Sequence, residues 1–520
     1  MNADPPAPNR TLGLWVLLIL SVFAWAPAAY PGYWLNLQGF AAAFNSRYVA
    51  PIAQIGVVAD VWRGAGSAAF LLTNPLIQLG LSPTTSVRVM FMLAVVIGGV
   101  GIYLWLQPRF GDRAAGLAGL LYTLAPPLLT TIYVRGNLAD AVVLALLPAV
   151  LTGATLYRST RSPATIGLAV VALLWIWRAQ AGLAVWITLI LLLYVLVVER
   201  DQLAAIAVFV TGAAGVLSLI PIWSTQGPPV AVFAAYFLDG YQILAGGGNS
   251  AQPFTLGFAL SAFGVVAAWL LWRRRAGGEA DLQTPLALRR EQDRLLIFAA
   301  VALVVGVLLT LRIAAPLWTF ARAERLLTYP GQILLVVLPF AAALAGSLPA
   351  LLPVLQRRGY WAVLVAVPVL AAAPYLTPTY TQFPAPDAPT AVFGARADIV
   401  LLTAKVTEES VDDGGRAVLD VAWQPLQPIT FDYNVFFQAL RANAAADGYD
   451  VVGQLDSQPL PDRPATQWRP GEIFTATYTL DLSADPSGAA LRYYFGFYDW
   501  RDGSRLPITS GDDKVILYGE

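Results

Sequence analysis

The chain contains neither cysteine nor histidine, and these absences remove several kinds of chemistry. Without cysteine there are no disulfides, thiolate nucleophiles, zinc–thiolate sites or iron–sulfur clusters. Without histidine there is no imidazole base, no imidazole metal ligand and no Ser-His-Asp triad. Any catalysis must therefore rest on carboxylates, arginine, tyrosine and backbone groups. The sequence identifies no cofactor and no metal site, and it leaves a dependence on a divalent metal open.

Charged residues are also scarce. The 520 residues are 57% hydrophobic and 12% charged, whereas about a quarter of an average soluble protein is charged. The formal net charge is zero, which argues against a nucleic-acid partner because such a surface needs a basic excess. Lys405 and Lys514 are the only lysines, so nearly every cation is arginine. This composition is typical of a membrane protein.

Hydrophobicity stops abruptly near Leu376. Before that point one apolar segment follows another, and a helix needs about 20 such residues to cross a bilayer. The sequence therefore predicts an α-helical polytopic membrane domain over residues 1–376. The predicted spans are 12–30, 87–106, 114–132, 138–157, 163–178, 180–198, 203–223, 254–272, 294–312, 331–353 and 359–376.

Arginine in the short loops predicts the orientation, because cytoplasmic loops carry an excess of Lys and Arg. The densest group, Arg273–Arg275 with Arg289 and Arg290, is cytoplasmic only if 163–178 and 180–198 are two separate spans. The resulting eleven-span topology places the N-terminus in the cytoplasm. It places the region after Leu376 on the opposite side of the membrane.

Arginines and carboxylates share the face opposite the cytoplasm, where a long first outer loop covers residues 30–87. A single arginine at this depth commonly binds lipid headgroups. Several of them beside carboxylates also suit a lipid-linked phosphosugar, because cations hold its phosphate and a carboxylate takes a proton from the acceptor. The candidates are Arg63, Arg135, Arg322 and Arg325 for the phosphate, Asp60 and Asp140 as bases, and Tyr133 and Glu324 in support.

Three motifs occur in the order found in a known family. They are D-x-W-x-G-x-G at Asp60–Gly66, Y-V-R-G-x-x-A-D at Tyr133–Asp140, and R-x-x-x-Y-P at Arg325–Pro330. Residues 12–376 thus resemble bacterial polytopic membrane proteins grouped with the GT-C glycosyltransferase superfamily. The resemblance implies a multi-pass protein of a bacterial plasma membrane. It also implies inverting transfer of a sugar from a polyprenyl-phosphate donor to an extracytoplasmic glycan or lipid acceptor.

The chain departs from this family at two places. Asn36 and Gln38 stand where related proteins have an early acidic base, and Gly331 and Gln332 stand where they often have a second arginine. Asp60 is the only replacement base in the first outer loop. A second interpretation therefore stays open, in which a catalytically inactive protein binds or positions lipid-linked glycan in envelope polysaccharide assembly. A transporter is disfavoured because the sequence shows no internal repeat.

The residues after Leu376 have the composition of a water-soluble domain. Residues 377–416 are read as a Pro-rich tether and the start of an outer domain. Period-two alternation from Ala417 onward predicts a small antiparallel β-sandwich over 417–520. Trp468, Tyr498 and Trp500 either contact an extracellular polysaccharide or form the core of the sandwich.

Overall fold

The structure is a computed structural model that describes part of the chain. The residues that it describes are 11–30, 33–34, 68–81, 83–223, 233, 236–244, 254–276, 285–378, 380–381, 389–394, 398–411, 414–426, 428–443, 448–469, 471–482, 491–508 and 512–518.

The described residues form two compact units, one helical and one built of β-strands. The helices lie between residues 11 and 377, and the strands are 33–34 together with those from 380 to 518. This arrangement confirms the predicted fold class, a helical membrane domain followed by an antiparallel β domain.

Every predicted span is helical. The helices are α1 (Leu12–Ala29), α2 (Ala68–Leu71), α3 (Asn74–Gln78), α4 (Pro83–Phe110), α5 (Asp112–Thr123), α6 (Pro126–Tyr133), α7 (Leu138–Thr160), α8 (Pro163–Ala179), α9 (Ala181–Tyr194), α10 (Gln202–Trp223), α11 (Phe258–Ala276), α12 (Leu286–Thr310), α13 (Ala315–Phe320), α14 (Ile333–Gly346), α15 (Leu348–Leu351) and α16 (Arg358–Ala372).

Within the described part of the chain, eight helical stretches are long and apolar enough to cross a membrane. Two more of the predicted spans, α8 and residues Gln202–Ser218 of α10, are apolar but shorter. The remaining one, α11, ends in Arg273, Arg274 and Arg275. Eight of the predicted spans therefore meet the requirement over the described residues, and the other three are also helical.

Hydrogen bonds connect the ends of different helices, and the connected ends fall into two groups. Two such groups are expected when successive helices run in opposite directions. One group joins ends that the sequence assigns to the cytoplasmic side: Asp112 with Gly13 (2.6 Å), Gln292 with Arg109 (2.6 Å) and Trp361 with Arg113 (3.2 Å). In the other group, the Tyr133 hydroxyl donates to the Ala24 carbonyl over 2.6 Å. Helices α8 and α9 meet at Gln180 and form the hairpin that the arginine distribution favoured.

Small residues allow some of these helices to approach closely. A Cβ on Gly116 would overlap the backbone of Gly13, so α5 and α1 touch through their backbones. Likewise, a Cβ on Gly182 would collide with the Leu326 carbonyl, so the first turn of α9 lies against the stretch before α14. Such contacts are expected where van der Waals packing, rather than hydrophobic burial, holds helices together.

The β unit contains two four-stranded antiparallel sheets and one two-stranded sheet. The strand orders are β10-β9-β6-β7, β3-β4-β5-β8 and β1-β2. Strands β3 and β4 precede Ala417, so regular structure begins inside the segment read as tether and domain start. The strands are β1 (Tyr33–Trp34), β2 (Tyr380–Thr381), β3 (Ala391–Phe393), β4 (Ile399–Val411), β5 (Gly414–Pro425), β6 (Asn434–Asn443), β7 (Gly448–Ser457), β8 (Phe474–Leu482), β9 (Arg492–Tyr498) and β10 (Val515–Tyr518).

The core of this unit follows from the alternation within each strand. Successive side chains of a strand point to opposite faces, and in β9 the inward residues Tyr493, Phe495 and Phe497 are fully buried. Trp423 of β5 lies among them and is also fully buried. The opposite set on β9 faces away from this core.

Candidate functional site

A buried ion pair occupies the turn between α6 and α7. An Arg135 N–H donates to the Asp140 carboxylate, and the two residues are 3% and 0% exposed. Asn137 caps α7 by accepting the Asp140 backbone N–H at 3.0 Å, which satisfies a donor that the helix start leaves free. Gly136 adopts φ 54°, in the left-handed region that glycine tolerates best. The Y-V-R-G-x-x-A-D motif thus forms a tight turn between two helices, in which Arg135 is held against the Asp140 carboxylate.

Two glutamines from distant parts of the chain complete the surroundings of Asp140. Gln180, between α8 and α9, donates to one carboxylate oxygen over 3.2 Å, and Gln332 donates to the other over 3.1 Å. A buried carboxylate without partners would cost several kcal/mol, and here a guanidinium and two amides compensate. Both oxygens of Asp140 are occupied, which suits an anchor for Arg135 better than an open general base.

Aromatic rings surround the guanidinium of Arg135. Its central carbon lies 4.9 Å from the ring centroid of Phe254 and 5.6 Å from that of Tyr329, which stabilises the cation. The Tyr236 ring meets Tyr329 edge-on at 4.9 Å. Burial raises the pKa of the Tyr329 phenol above its ordinary value, so this hydroxyl stays protonated. Among the described residues, Nε of Arg135 has no hydrogen-bond partner.

The stretch before α14 carries the other predicted residues. Arg322 is exposed and adopts φ 50°. Glu324 is only 7% exposed, and within the described part of the chain its Oε2 has no hydrogen-bond partner. The backbone of Arg325 belongs to a single 3-10 turn, Ala323–Arg325, whereas the placement of its side chain is not described.

The remaining predictions for the helical unit have different outcomes. Asp60 and Arg63 lie outside the described residues. Tyr133 is 3% exposed, and its hydroxyl ties α6 to α1 through the Ala24 carbonyl, which is a packing role. Of the residues singled out from the sequence, the structure therefore brings Arg135 and Asp140 into direct contact.

Four further residues of this site were not selected from the sequence: Gln180, Phe254, Tyr329 and Gln332. The two glutamines carry the clearest signal, because each is an isolated amide beside long apolar segments. Gln332 was read as a departure from an arginine found in related proteins. In the structure Gln332 donates a hydrogen bond to Asp140, so the residue that replaces the arginine has a defined structural contact. We call Arg135, Asp140, Gln180, Phe254, Tyr329 and Gln332 the Arg135 cluster.

A second buried network lies at the opposite helix ends. Glu199 accepts two hydrogen bonds from Arg109, at 2.7 and 2.8 Å, and one from the Thr155 hydroxyl at 2.7 Å. The Tyr194 hydroxyl also donates to Glu199, and it accepts from the Trp105 indole N–H at 2.8 Å. Glu199 ends a π-helical turn, Val195–Glu199, that continues α9. Every group here is partnered and enclosed, so the network holds helices together.

The three aromatic residues predicted to contact glycan differ in exposure. Trp468 is 3% exposed and lies in the core, 5.5 Å from Trp423, with its indole N–H donated to the Arg463 carbonyl. It therefore has the packing role, because no ligand can reach its ring. Tyr498 is half-buried, and Trp500 is 57% exposed.

The apolar helices and the candidate spans define this chain as a membrane protein. Residues 67–225 match a family model described as a 6-pyruvoyl-tetrahydropterin synthase related domain, a membrane protein. The match covers less than a third of the chain and includes Arg135, Asp140 and Gln180. Over this part the chain is similar to that family. No curated protein matches the chain.

Proposed function

We propose that this membrane protein binds a polyprenyl-phosphate-linked sugar at the Arg135 cluster and positions it for envelope polysaccharide assembly. The observation that carries the proposal is the convergence of four separate stretches on the buried Arg135–Asp140 pair, one of which contributes the pair itself. These stretches supply Arg135, Gln180, Phe254 and Tyr329. A guanidinium, amide groups and a protonated phenol are suitable donors to phosphate and sugar oxygens.

The state of Asp140 favours binding over catalysis at this position. A general base needs a lone pair within reach of the acceptor proton. Both Asp140 oxygens already accept hydrogen bonds, and the residue is completely buried. In the proposal, Asp140 orients Arg135, and the guanidinium N–H groups that Asp140 does not use face the phosphate.

Sugar transfer is the second candidate, and Glu324 favours it. This buried carboxylate has one oxygen without a partner among the described residues. In an inverting transfer, a carboxylate takes the proton of the acceptor hydroxyl, the acceptor oxygen bonds to the anomeric carbon, and the bond from that carbon to the donor phosphate breaks. The resemblance to GT-C proteins supports this reaction, with Glu324 or Asp60 as the base and Arg322 and Arg325 beside the phosphate.

Binding can be tested with the full chain in lipid nanodiscs and a radiolabelled undecaprenyl-phosphate hexose. Arg135→Lys keeps a cation for Asp140 but removes the fork of N–H groups, so we expect affinity to fall about tenfold. Arg312→Lys is the matched control, because Arg312 is exposed on the side that the sequence assigns to the outside. Absence of binding by the unchanged protein, or equal binding by Arg135→Lys, contradicts the proposal.

Transfer is separated from binding by adding an acceptor oligosaccharide and measuring release of polyprenyl phosphate. Release that is abolished in Glu324→Gln while binding persists supports the second candidate. Binding without release supports the inactive binder.

We further propose a bacterial plasma membrane with the N-terminus in the cytoplasm and the β unit outside. The natural absence of cysteine allows a clean test, since a single introduced thiol is the only site of maleimide labelling. Ser504→Cys in the β unit should react in intact cells, whereas Ser159→Cys at the end of α7 should react only after permeabilisation. The reverse pattern contradicts this orientation.

A further inference from the structure

The outward face of the sheet β10-β9-β6-β7 has an ordered pattern of side chains that packing does not require. Strand register places Tyr518, Arg492, Leu440 and Val451 in one row across the four strands. The next row contains Ile516, Tyr494, Gln438 and Gln454. These residues alternate with the buried Tyr493 and its neighbours, so they lie on the face turned away from the core, where Leu440 is itself covered and only 7% exposed. We call the two rows, with Tyr449 beside the first, the tyrosine face.

Much of this face is open. Tyr518 is 63% exposed, Val451 is 54% exposed and Tyr449 is 43% exposed. Monomeric proteins tolerate single exposed apolar groups, but a contiguous group of rings commonly marks a binding surface.

Arg492 lies at the centre of the first row. Its guanidinium carbon is 4.6 Å from the Tyr449 centroid and 5.9 Å from the Tyr518 centroid. Tyr494 also lies beside Arg492 and raises the pKa of its guanidinium. In the described part of the chain these three tyrosines surround Arg492, and none of them neutralises its charge. A guanidinium held in this way offers N–H donors to an incoming anion.

Amides occupy the second row beside Tyr494. The Gln438 amide N–H donates to the Gln454 side-chain oxygen at 3.1 Å, and the Gln454 amide N–H donates in turn to the Asp456 carboxylate. Lys514 Nζ lies 5.1 Å from the Tyr494 centroid and is paired with Asp512 and Asp513, which leaves Arg492 as the cation that carries the charge of the face. Paired amides present donors and acceptors side by side. Sugar hydroxyls need both kinds of group, and the C–H faces of a sugar ring pack on aromatic rings.

We propose that the tyrosine face binds an acidic polysaccharide, with Arg492 holding a sugar carboxylate, the glutamines contacting hydroxyls, and Tyr449, Tyr494 and Tyr518 packing against sugar rings. The charge of Arg492 selects an anionic glycan over a neutral one. This site is independent of the Arg135 cluster, and it differs from the contacts that the sequence predicted at Trp468, Tyr498 and Trp500.

The test uses the full chain in nanodiscs and two hexasaccharides of equal length, oligogalacturonate and its fully methyl-esterified form, which has the same linkages and no charge. We expect calorimetry to show binding of the acidic hexamer that is at least tenfold tighter than that of the neutral one. Arg492→Gln should remove this preference, and Gln438→Leu should weaken both sugars. Raising the salt concentration should weaken only the acidic hexamer, because salt screens exposed charges.

Arg416→Gln is the matched control, because Arg416 is an exposed arginine on β5 of the other sheet, where it pairs with Asp481 at 3.3 Å. Its binding of the acidic hexamer should be unchanged. Equal affinity for the two hexamers, no binding at about 1 mM sugar, or equal losses in Arg492→Gln and Arg416→Gln overturns the proposal. Loss of a dimer in Arg492→Gln, without any effect on sugar, overturns it in favour of a contact between copies of the chain.

Discussion

Gln332 donates a hydrogen bond to Asp140 over 3.1 Å, although 192 residues separate them in the sequence. The Gln332 side-chain oxygen in turn accepts the backbone N–H groups of Thr328 and Tyr329, at 2.9 and 3.2 Å. One amide therefore connects the turn before α14 with the corner between α6 and α7. This connection holds Tyr329 beside Arg135.

Loss of Asp140 should destabilise the helical unit strongly. In Asp140→Ala the buried Arg135 has no counterion, and breaking such a pair costs about 3 to 5 kcal/mol. Gln332→Leu removes hydrogen bonds but no charge and leaves the Arg135–Asp140 pair in place, so we expect a smaller loss of about 1 to 3 kcal/mol. Denaturant unfolding of the full chain in detergent measures both. If both variants lose the same free energy of unfolding, the charge of Asp140 does not account for its contribution to stability.

The Arg109–Glu199 pair should behave as a coupled unit. Glu199→Ala leaves Arg109 buried without a carboxylate, so we expect a loss of about 3 to 5 kcal/mol. Replacing both residues, Arg109→Met with Glu199→Leu, removes both charges at once and should lose much less than the sum of the single changes. A double-mutant cycle from the same unfolding measurement checks this. Additive losses would contradict direct coupling.

Truncation of two tryptophans in the β unit should change its stability by very different amounts. Trp468→Ala leaves a large void in the core and should cost about 3 to 5 kcal/mol. Trp500→Ala removes an exposed ring and should change stability by no more than about 0.5 kcal/mol. Thermal unfolding followed by near-ultraviolet circular dichroism compares the variants. A large loss in Trp500→Ala would assign that ring to the core.

Glu472 should make the β unit more stable at neutral pH than in acid. Two hydrogen bonds from Arg463, at 2.6 and 2.7 Å, hold the pKa of the Glu472 carboxyl below its ordinary value. A lowered folded-state pKa contributes stability above the unfolded value, about 4.3. This contribution disappears as the pH falls through the folded pKa. Glu472→Gln should therefore lower the thermal midpoint at pH 7 and make no difference in strong acid. A midpoint difference that is the same at every pH would show that the lowered pKa contributes nothing.

Hydrophobic length predicted the helices well, because a membrane-crossing segment must satisfy its backbone hydrogen bonds within itself. Each predicted span is a helix, and the arginine distribution correctly separated α8 from α9. Strand β4 was missed because residues 399–411 begin with a continuous apolar run, IVLL, which shows no alternation at its start. The two strands β3 and β4 therefore lie in a segment that looked like a tether.

The candidate site was predicted less completely. Arg135 and Asp140 were found because they are charged residues at the ends of apolar helices. Gln180, Phe254 and Tyr329 were not, because an amide or an aromatic ring near a helix end is ordinary in a membrane protein. Trp468 was ambiguous for a similar reason, since a tryptophan in a segment between two strands suits either a core or a binding surface.

By itself the sequence determined the membrane-spanning architecture, the β domain and the exclusion of thiol and imidazole chemistry. These properties depend on local hydrophobicity, on alternation and on residue types that are present or absent. Only the tertiary structure decided that Asp140 is enclosed by Arg135, Gln180 and Gln332, and that the core of the β unit contains Trp468. The physical reason is that burial and hydrogen-bond partnership come from residues far apart in the chain, which only folding brings together.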